Sequence, residues 1–215
     1  MFSFLSKGSA KKVSAAPELK APLHMPEVNP YEFFWGLVQD KRPASVLEVG
    51  TRRSDDARST HLLAEFPWIR ETSNYVRADI QDGLDVDIIA DLHTLPEEWS
   101  GRFQCFIADA VFEHLERPWL AAKEVSRVLA PGGLFFVVTH QTYPIHGHPN
   151  DFFRFSKEAL RLIFEDADLV VDLAEYSERC LIIPPAHVVP PELLEMWNWE
   201  FPSYALSIVV GRKPK

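Results

Sequence analysis

The chain has 215 residues, of which 47% are hydrophobic and 12% aromatic, and its formal net charge is −9. This length and apolar content are sufficient for one domain with a sizeable core. The negative charge argues against general binding to nucleic acid or to an anionic membrane surface, because both interactions need lysine and arginine to neutralise phosphates.

The two cysteines, Cys105 and Cys180, are far apart and lack C-x-x-C spacing. This pattern favours reduced thiols in a cytoplasmic protein, with Cys105 as a small core residue on a strand. The sequence has no apolar run long enough to cross a bilayer, and its N-terminus lacks the apolar core of a secretory signal. We therefore expect a cytoplasmic protein without stable membrane insertion.

Residues 1–28 are rich in Lys, Ser, Ala and Pro, which is typical of a flexible arm. The folded domain is expected to span residues 29–215, with a first helix over residues 31–38. The short apolar run at residues 45–49 ends in Gly50 and is followed by a polar segment. This pattern predicts a buried strand that leads into a helix over residues 57–66.

Further strands are predicted at residues 74–78, 86–90 and 103–108, and each is followed by an acid: Asp79, Asp91 and Asp109 respectively. In open α/β sheets, ligands bind outside the carboxyl ends of the strands. An acid at the end of the second strand accepts hydrogen bonds from the ribose of a nucleotide cofactor. The distance of Asp79 from Gly50 along the chain makes it the candidate for that role.

The second half of the chain continues the alternation of strands and helices. A helix is predicted at residues 118–129, ended by Pro131–Gly132–Gly133, and a buried strand at 134–139. Ser156 is a candidate N-cap for another helix, and strands are predicted at 169–173 and 204–210. Between them, the proline- and aromatic-rich insertion 184–202 is expected to line a pocket, form a dimer contact or pack on the sheet edge.

Two sequence segments resemble a known family. Glu113–His114–Leu115, followed by EVSRVLAPGGL at residues 124–134, resembles the signature of the type 11 group of class I S-adenosylmethionine-dependent methyltransferases. Leu47–Glu48–Val49–Gly50 resembles the first motif of that family, and DFFRFS at residues 151–156 is similar to a segment of many members. The resemblance extends over residues 43–170.

The resemblance implies an α/β fold: a doubly wound, mostly parallel, seven-stranded Rossmann-like sheet whose last strand is antiparallel. It also implies S-adenosylmethionine as the methyl donor. The cofactor-binding residues that it implies lie at the carboxyl ends of the strands: Glu48, Gly50, Thr51, Asp79, Asp91, Leu92 and Asp109.

Individual roles follow from the same resemblance. Glu48 and Gly50 would border the methionine end of the cofactor, and Asp79 would hold its ribose. Asp91 would accept a hydrogen bond from the adenine amino group, with Leu92 against the base. The loop that begins at Asp109 would close over the sulfonium.

The turn after Gly50 departs from the family pattern of two or three glycines, because it reads Thr51–Arg52–Arg53–Ser54. A missing glycine adds a side chain where the cofactor should approach the backbone closely. Arg52 or Arg53 could instead pair with the carboxylate of the cofactor or with a substrate phosphate. Either could equally be a surface residue of a protein that no longer binds cofactor.

Methyl transfer requires proximity, alignment and a deprotonated acceptor. His140 follows the fifth predicted strand at the edge where ligands bind, and histidine is a common base near neutral pH. His140 is therefore the first candidate for a catalytic base, ahead of His114, His146 and His148. A hydrogen bond that orders the loop is the alternative role for each.

Two other roles are open in the loop after His140. His140, His146, His148 and Asp151 are residue types that bind zinc or iron, but their spacing repeats no known site and we expect no metal. Asp151 and Arg154 are expected to form an ion pair that orders the loop, or to bind substrate.

The sequence thus predicts a methyltransferase that acts on a small molecule or saccharide at oxygen, with a homodimer as a possible assembly. A second hypothesis is a non-catalytic methyltransferase-like module that binds a partner through the aromatic residues near Trp197 and Trp199. A third, a nicotinamide oxidoreductase, would need a fuller glycine fingerprint and leaves Glu113–His114 unexplained.

Overall fold

The computed structural model describes residues 28–53, 66–69, 74–147 and 149–215. The predicted arm lies outside the described residues except for Val28, as does the predicted helix at residues 57–66 except for Phe66. His148 also lies outside them.

A seven-stranded sheet forms the centre of the molecule. Its strands are β1 (Ser45–Val49), β2 (Asn74–Asp79), β3 (Ile88–Ile89), β4 (Phe103–Asp109), β5 (Leu129–His140), β6 (Val170–Cys180) and β7 (Ser203–Arg212). They are arranged in the order β3-β2-β1-β4-β5-β7-β6. The first five are parallel, whereas β7 lies between β5 and β6 and is antiparallel to both. The predicted fold class is confirmed.

Within the described part of the chain, four α-helices accompany the sheet: α1 (Pro30–Lys41), α2 (Pro118–Val128), α3 (Lys157–Glu165) and α4 (Leu194–Glu200). Asn29 caps α1 by accepting hydrogen bonds from two backbone N–H groups, and Pro30 occupies the first helical position. Ser156 caps α3, as predicted, by accepting a hydrogen bond from Ala159 N at 3.1 Å. None of the described helices is long and apolar enough to span a membrane.

The sheet has a hydrophobic core on each face. On one face α1 packs through Phe34, whose ring stacks on Phe136 of β5 at a centroid distance of 4.4 Å. This core also contains Cys105, which is buried and free, as predicted for a core position. On the other face Val125 of α2 and Phe164 of α3 pack against the sheet. Helices on both faces make the fold doubly wound.

The connection from α2 to β5 differs from the prediction. The helix ends at Val128, and Pro131–Gly132–Gly133 belong to the long strand β5 instead of ending the helix. Gly132 has φ +75°, and a Cβ on Gly133 would lie 2.8 Å from the carbonyl oxygen of Ala130. The glycines are therefore needed for a tight bend at the start of β5.

Glu124 and Arg127, which belong to the family-like signature, tie α2 to the loop before β4. Glu124 accepts a hydrogen bond from Leu95 N at 2.7 Å and pairs with Arg127, also at 2.7 Å. Arg127 in turn donates to the carbonyl oxygen of Leu95 at 2.8 Å and to Ser100 Oγ at 2.7 Å. These two residues are structural, because they satisfy the backbone of a loop between strands.

Strand β3 is shorter than predicted because the side chain of Asp87, and not a backbone carbonyl group of β3, accepts the hydrogen bond from the N–H of Arg77 on β2. The N–H of Arg77 donates to the carboxylate of Asp87 at 3.0 Å, and the Arg77 guanidinium pairs with the same carboxylate at 2.7 Å. The hydrogen bond to the Arg77 side chain, against a smaller opposing effect of burial, lowers the pKa of Asp87 below its usual value. Regular pairing with β2 starts only at Ile88.

Candidate active site

The strand ends that the sequence singles out meet at one edge of the sheet. Because β1, β2 and β4 are parallel neighbours, Gly50, Asp79 and Asp109 follow or end strands at the same edge. The N–H of Gly50 donates to the carbonyl oxygen of Ala78 at 2.9 Å, which fixes the glycine turn beside the end of β2. This edge is where open α/β sheets bind ligands.

Gly50 is required by a close approach of the loop that follows β4. Its φ is +75°, and a Cβ placed on it would lie 2.3 Å from Val111 Cγ2. The left-handed conformation and the lack of space both exclude a side chain at this position. The single glycine of this turn therefore brings the loop after β4 against the end of β1.

Thr51 and Arg52 tie the turn to the segment after β2. Thr51 is fully buried, and its hydroxyl donates to the carbonyl oxygen of Asp85 at 2.8 Å. The N–H of Arg52 donates to Asp79 Oδ2 at 3.1 Å, and the N–H of Gln81 donates to Oδ1 at 2.9 Å. Each oxygen of Asp79 thus holds one backbone donor and keeps a second acceptor position.

The arginine side chains of the turn contact the β2–β3 loop. Arg52 Nε donates to the carbonyl oxygen of Asp82 at 3.2 Å, and its side chain lies against Gly83. Arg53 Nε lies 3.0 Å from Asp85 Oδ2, and Arg77 lies 3.0 Å from the other oxygen of the same carboxylate. Both arginines therefore have partners within the protein.

Asp91 and Leu92 follow β3. Asp91 is exposed, and its Oδ1 accepts from the N–H of His93 at 2.9 Å and lies 2.7 Å from Nδ1 of the same residue. Burial raises the pKa of Asp91, but the contacts with His93 lower it more and leave it below its usual value. Leu92 is 5% exposed and packs in the core, so its predicted contact with an adenine ring would involve a mostly buried side chain.

Glu48 points into the face of the sheet that α1 covers. It is 5% exposed and accepts a short hydrogen bond from the hydroxyl of Tyr75 on the neighbouring strand. Burial, followed by the charge of Glu48, raises the pKa of Tyr75 far above its usual range. Glu48 is thus held at the end of β1 by Tyr75, and its contact with cofactor stays a prediction.

Asp109 ends β4 and is exposed at the sheet edge. Burial, followed by the charge of Asp109, raises the pKa of the Tyr31 phenol on α1 above its usual value. The next residue, Ala110, has φ +53°, a conformation that costs an alanine about 1–2 kcal/mol. The loop after β4 is therefore held in a strained conformation beside Gly50 and α1.

His140 lies at the end of β5 beside a buried carboxylate. Its Nδ1 is 2.6 Å from Oε1 of Glu113, which is fully buried, while Oε2 of Glu113 accepts a hydrogen bond from Thr139 Oγ1 at 2.7 Å. Burial raises the pKa of Glu113, but the contacts with His140 and Thr139 lower it more, so the group is ionised. A carboxylate beside Nδ1 favours the tautomer that carries its proton on Nδ1, which leaves the lone pair on Nε2.

Further aromatic and imidazole rings surround His140. Its ring stacks on Tyr143 at a centroid distance of 4.1 Å, and the ring of His146 stands edge-on to it at 5.1 Å. The rings of His146 and His114 are 4.8 Å apart. The structure thus gathers Glu113 and three of the four candidate histidines, and the fourth, His148, lies outside the described residues.

Asp151 and Arg154 form the predicted ion pair that orders this loop. The guanidinium contacts both carboxylate oxygens, at 2.5 and 2.7 Å, and donates to the carbonyl oxygen of Pro144 at 3.0 Å. Asp151 also accepts from the N–H of His146 at 2.8 Å. Its hydrogen bonds to Arg154, with a smaller opposing effect of burial, hold its pKa far below the usual range.

Sequence reasoning did not identify Glu113 as a partner of His140. The glutamate belongs to the family-like signature, and an acid in an otherwise apolar context next to a histidine is a signal of a buried polar contact. The metal-ligand alternative also changes. Asp151 is occupied by Arg154, and the candidate ligand group of the described residues is Glu113, His114 and His146.

Comparison with known proteins agrees with the fold. Residues 69–137 match the sequence model of a family described as methyltransferase domain. No curated protein sequence matches the chain.

Solved structures of methyltransferases are similar to this chain. An S-adenosylmethionine-dependent methyltransferase from Archaeoglobus fulgidus has a TM-score of 0.54 at 15% identity, with 85% of this chain and 94% of that chain covered. The 1,6-didemethyltoxoflavin-N1-methyltransferase of Burkholderia thailandensis, with 1,6-didemethyltoxoflavin and S-adenosylhomocysteine bound, has a TM-score of 0.52 at 14% identity, covering 91% and 95%. A methyltransferase of Haloferax volcanii in complex with the activator Trm112 has a TM-score of 0.51 at 18% identity, covering 86% and 96%.

These similarities agree with the resemblance drawn from EVSRVLAPGGL and its neighbouring motifs. The segment that matches the family model, residues 69–137, contains that signature. The similarity to the Archaeoglobus fulgidus structure extends over 85% of this chain. This chain therefore has the fold of the class I S-adenosylmethionine-dependent methyltransferases, the family that its sequence resembles.

Proposed function

We propose that this protein transfers a methyl group from S-adenosylmethionine to an oxygen atom of a small molecule or saccharide. The observation that carries the proposal is the convergence of two groups of residues at one sheet edge. Gly50, Asp79 and Asp109 lie at the ends of β1, β2 and β4, and His140, in contact with Glu113, ends the adjacent strand β5.

The residues of this edge suit the cofactor. Asp79 is half-buried, and each of its oxygens has one acceptor position left after the backbone contacts, which suits a pair of ribose hydroxyls. Asp91 follows β3, where an acceptor for the adenine amino group is expected. We infer that Gly50 and Thr51 border the methionine end, with Glu48 behind them. When bound, S-adenosylmethionine supplies an electrophilic methyl group.

The residues on the other side of the edge suit an acceptor with a proton to lose. We infer that His140 Nε2 takes the proton of the acceptor hydroxyl and that the charge of Glu113 stabilises the resulting imidazolium. The stacked ring of Tyr143 fixes the orientation of the imidazole. A small-molecule acceptor is supported by the Burkholderia thailandensis methyltransferase structure, which contains bound 1,6-didemethyltoxoflavin.

A specific observation favours the second hypothesis, a module that no longer binds cofactor. The turn keeps one glycine, and Asp79 is already engaged by the N–H groups of Arg52 and Gln81. In that case the exposed apolar side chains of Met196, Trp199 and Phe201 would form a partner surface. A homodimer through this segment stays a prediction, as do cytoplasmic location and the absence of nucleic acid binding.

Calorimetric titration of the full chain with S-adenosylhomocysteine separates the two hypotheses. The methyltransferase proposal predicts one-site binding with a dissociation constant of about 1–100 μM, since cofactors of this size reach about −5.5 to −8.2 kcal/mol. If no heat is measured and millimolar ligand leaves the melting temperature unchanged, the proposal is refuted and the non-catalytic module takes its place.

Asp79→Asn tests the assignment of the ribose site in the same titration. Losing a charged acceptor for two hydroxyls is expected to cost about 1–3 kcal/mol, which weakens binding about 5- to 150-fold. Asp82→Asn is the matched control, because it removes the same charge from an exposed position three residues away. Equal affinities for both variants would show that Asp79 does not hold the ribose.

A further inference from the structure

Three potential metal ligands meet beside the proposed acceptor site. Glu113, His114 and His146 each offer one ligand atom, and the three atoms lie within 4.8 Å of one another. Oε1 of Glu113 is 3.9 Å from Nε2 of His114. Glu113 and His114 belong to the 3₁₀ turn Phe112–His114, and His146 comes from the loop after β5. The three ligands thus come from two segments that the fold brings together.

Hydrogen bonding determines which ring nitrogen of each histidine carries the proton. Nδ1 of His114 is 2.6 Å from the carbonyl oxygen of Asn150, so this nitrogen is the donor. Nδ1 of His146 is 3.1 Å from the carbonyl oxygen of Pro144 and 3.3 Å from the carboxylate of Asp151, both of which are acceptors. In the neutral form of each ring, Nε2 therefore carries the lone pair.

The cluster consequently contains two imidazole lone pairs and a carboxylate. Glu113 is fully buried, and its Oε1 has no well-aligned hydrogen bond among the described residues, although His140 Nδ1 is 2.6 Å away. A cation placed among these three atoms would be attracted by the carboxylate and by both lone pairs. The charge of the nearby Arg154 is already matched by its two contacts with Asp151.

The hydrogen bonds around the three residues resemble those that orient the ligands of known metal sites. Metal-binding histidines typically donate their other ring N–H to a carbonyl or carboxylate, as both histidines do here. The carbonyl oxygen of Glu113 accepts from the N–H of Phe152 at 2.8 Å and of Phe153 at 3.2 Å, which joins the two segments. Ligand atoms around an ion at about 2.0–2.2 Å lie about 3–3.6 Å apart, so binding would draw these atoms together by up to about 1–2 Å.

We propose that Glu113, His114 and His146 form a binding site for a divalent transition-metal ion. Two imidazoles and one carboxylate are a ligand set that suits zinc, iron or cobalt and leaves coordination positions open. The side chain of Glu113 is fully buried, whereas those of His114 and His146 are 13% and 26% exposed, so the site opens toward solvent on the histidine side. Its existence does not depend on the cofactor. Only its use, to hold an acceptor oxygen next to His140, rests on the proposed methyl transfer.

Titration of the full chain with Co²⁺ and with Zn²⁺ tests the site. The protein carries no histidine tag, is stripped with a chelator and is studied without cofactor, so that the result is independent of the S-adenosylhomocysteine titration. We expect one ion per chain by elemental analysis and a dissociation constant in the micromolar range or below. Bound Co²⁺ should show visible ligand-field bands, and Zn²⁺ should displace it and abolish them.

His146→Ala is the decisive variant, because this side chain is partly exposed and belongs to a loop. It should weaken Co²⁺ binding at least tenfold and weaken the visible bands, whereas His187→Ala, which removes an exposed histidine elsewhere, should leave both unchanged. Glu113→Gln should have the effect of His146→Ala if it folds. Absence of stoichiometric Co²⁺ binding, or equal binding by the His146 and His187 variants, would overturn the proposal.

Discussion

Replacing Gly50 by alanine should destabilise the protein through two separable effects. The first is the left-handed backbone, with φ +75°, which costs an L-residue about 1–2 kcal/mol. The second is the contact with Val111, whose Cγ2 would lie 2.3 Å from the new Cβ. Relieving such an overlap in a packed region costs about 1–3 kcal/mol. The free energy of unfolding should therefore fall by about 2–5 kcal/mol, as measured by urea denaturation.

Gly101→Ala is the matched control for the backbone effect. Gly101 has φ +65°, and a Cβ placed on it would meet nothing within 4 Å. Both substitutions also reduce the entropy of the unfolded chain by the same amount, so this contribution cancels in the comparison. Gly101→Ala should cost about 1–2 kcal/mol, and the difference between the two variants, about 1–3 kcal/mol, measures the steric contact alone.

A double variant tests the assignment of that difference to Val111. Val111→Ala removes the Cγ2 atom, so Gly50→Ala in this background should cost about as much as Gly101→Ala. The expected coupling energy is about 1–3 kcal/mol, well above the error of additivity for independent sites. If Gly50→Ala and Gly101→Ala are equally destabilising, or if Val111→Ala restores none of the stability lost in Gly50→Ala, the inferred close contact between the loop after β4 and the glycine turn is refuted.

Two further predictions concern Glu124 and His140. Burial raises the pKa of Glu124, but Arg127 and the Leu95 N–H lower it more, to below its usual 4.5. A carboxyl whose pKa is lowered on folding stabilises the protein above the unfolded pKa and loses this effect as the pH falls through the folded one. The stability advantage of wild type over Glu124→Gln should therefore be full at pH 7 and shrink below about pH 4.5. The midpoints of urea denaturation measure this advantage, and a midpoint difference that is the same at pH 7 and pH 3.5 would contradict the prediction. His140→Ala should lower kcat about 10²- to 10⁴-fold with an acceptor found by screening, while the dissociation constant of S-adenosylhomocysteine changes less than about twofold; retained turnover would exclude His140 as the base.

The fold was largely predictable because its signals are periodic and local. Buried parallel strands such as β1 and β4 give continuous apolar runs, and the Ser156 cap marks the start of α3. The errors lie where tertiary contacts override local pattern. The Pro131–Gly132–Gly133 segment resembles a helix terminator, but it belongs to β5 because Gly133 lies against the backbone of Phe103. Strand β6 continues to Cys180 because β7 pairs with it along its length.

The candidate site was predictable only in part. Acids at the ends of parallel strands must share a sheet edge, so the placement of Asp79 and Asp109 follows from the strand assignment alone. The partner of His140 does not, because contact between Glu113 and Thr139 or His140 depends on the register of β4 with β5, where Asp109 pairs with Val138. Spacing along the chain contains no information on that register.

The arginines of the glycine turn are the main departure from the family pattern, and their contacts bear on whether the turn can still work. A side chain that replaces a glycine interferes with a ligand only if it occupies the space of the ligand. Arg52 instead lies against Gly83 with its Nε on a carbonyl oxygen of the β2–β3 loop, and Arg53 pairs with Asp85. The backbone that most needs a glycine, at Gly50, has kept it, and the Arg52 N–H fixes the carboxylate of Asp79 at the end of β2. The substitutions therefore connect the turn to the neighbouring loop, which favours a rigid cofactor site over one that has decayed.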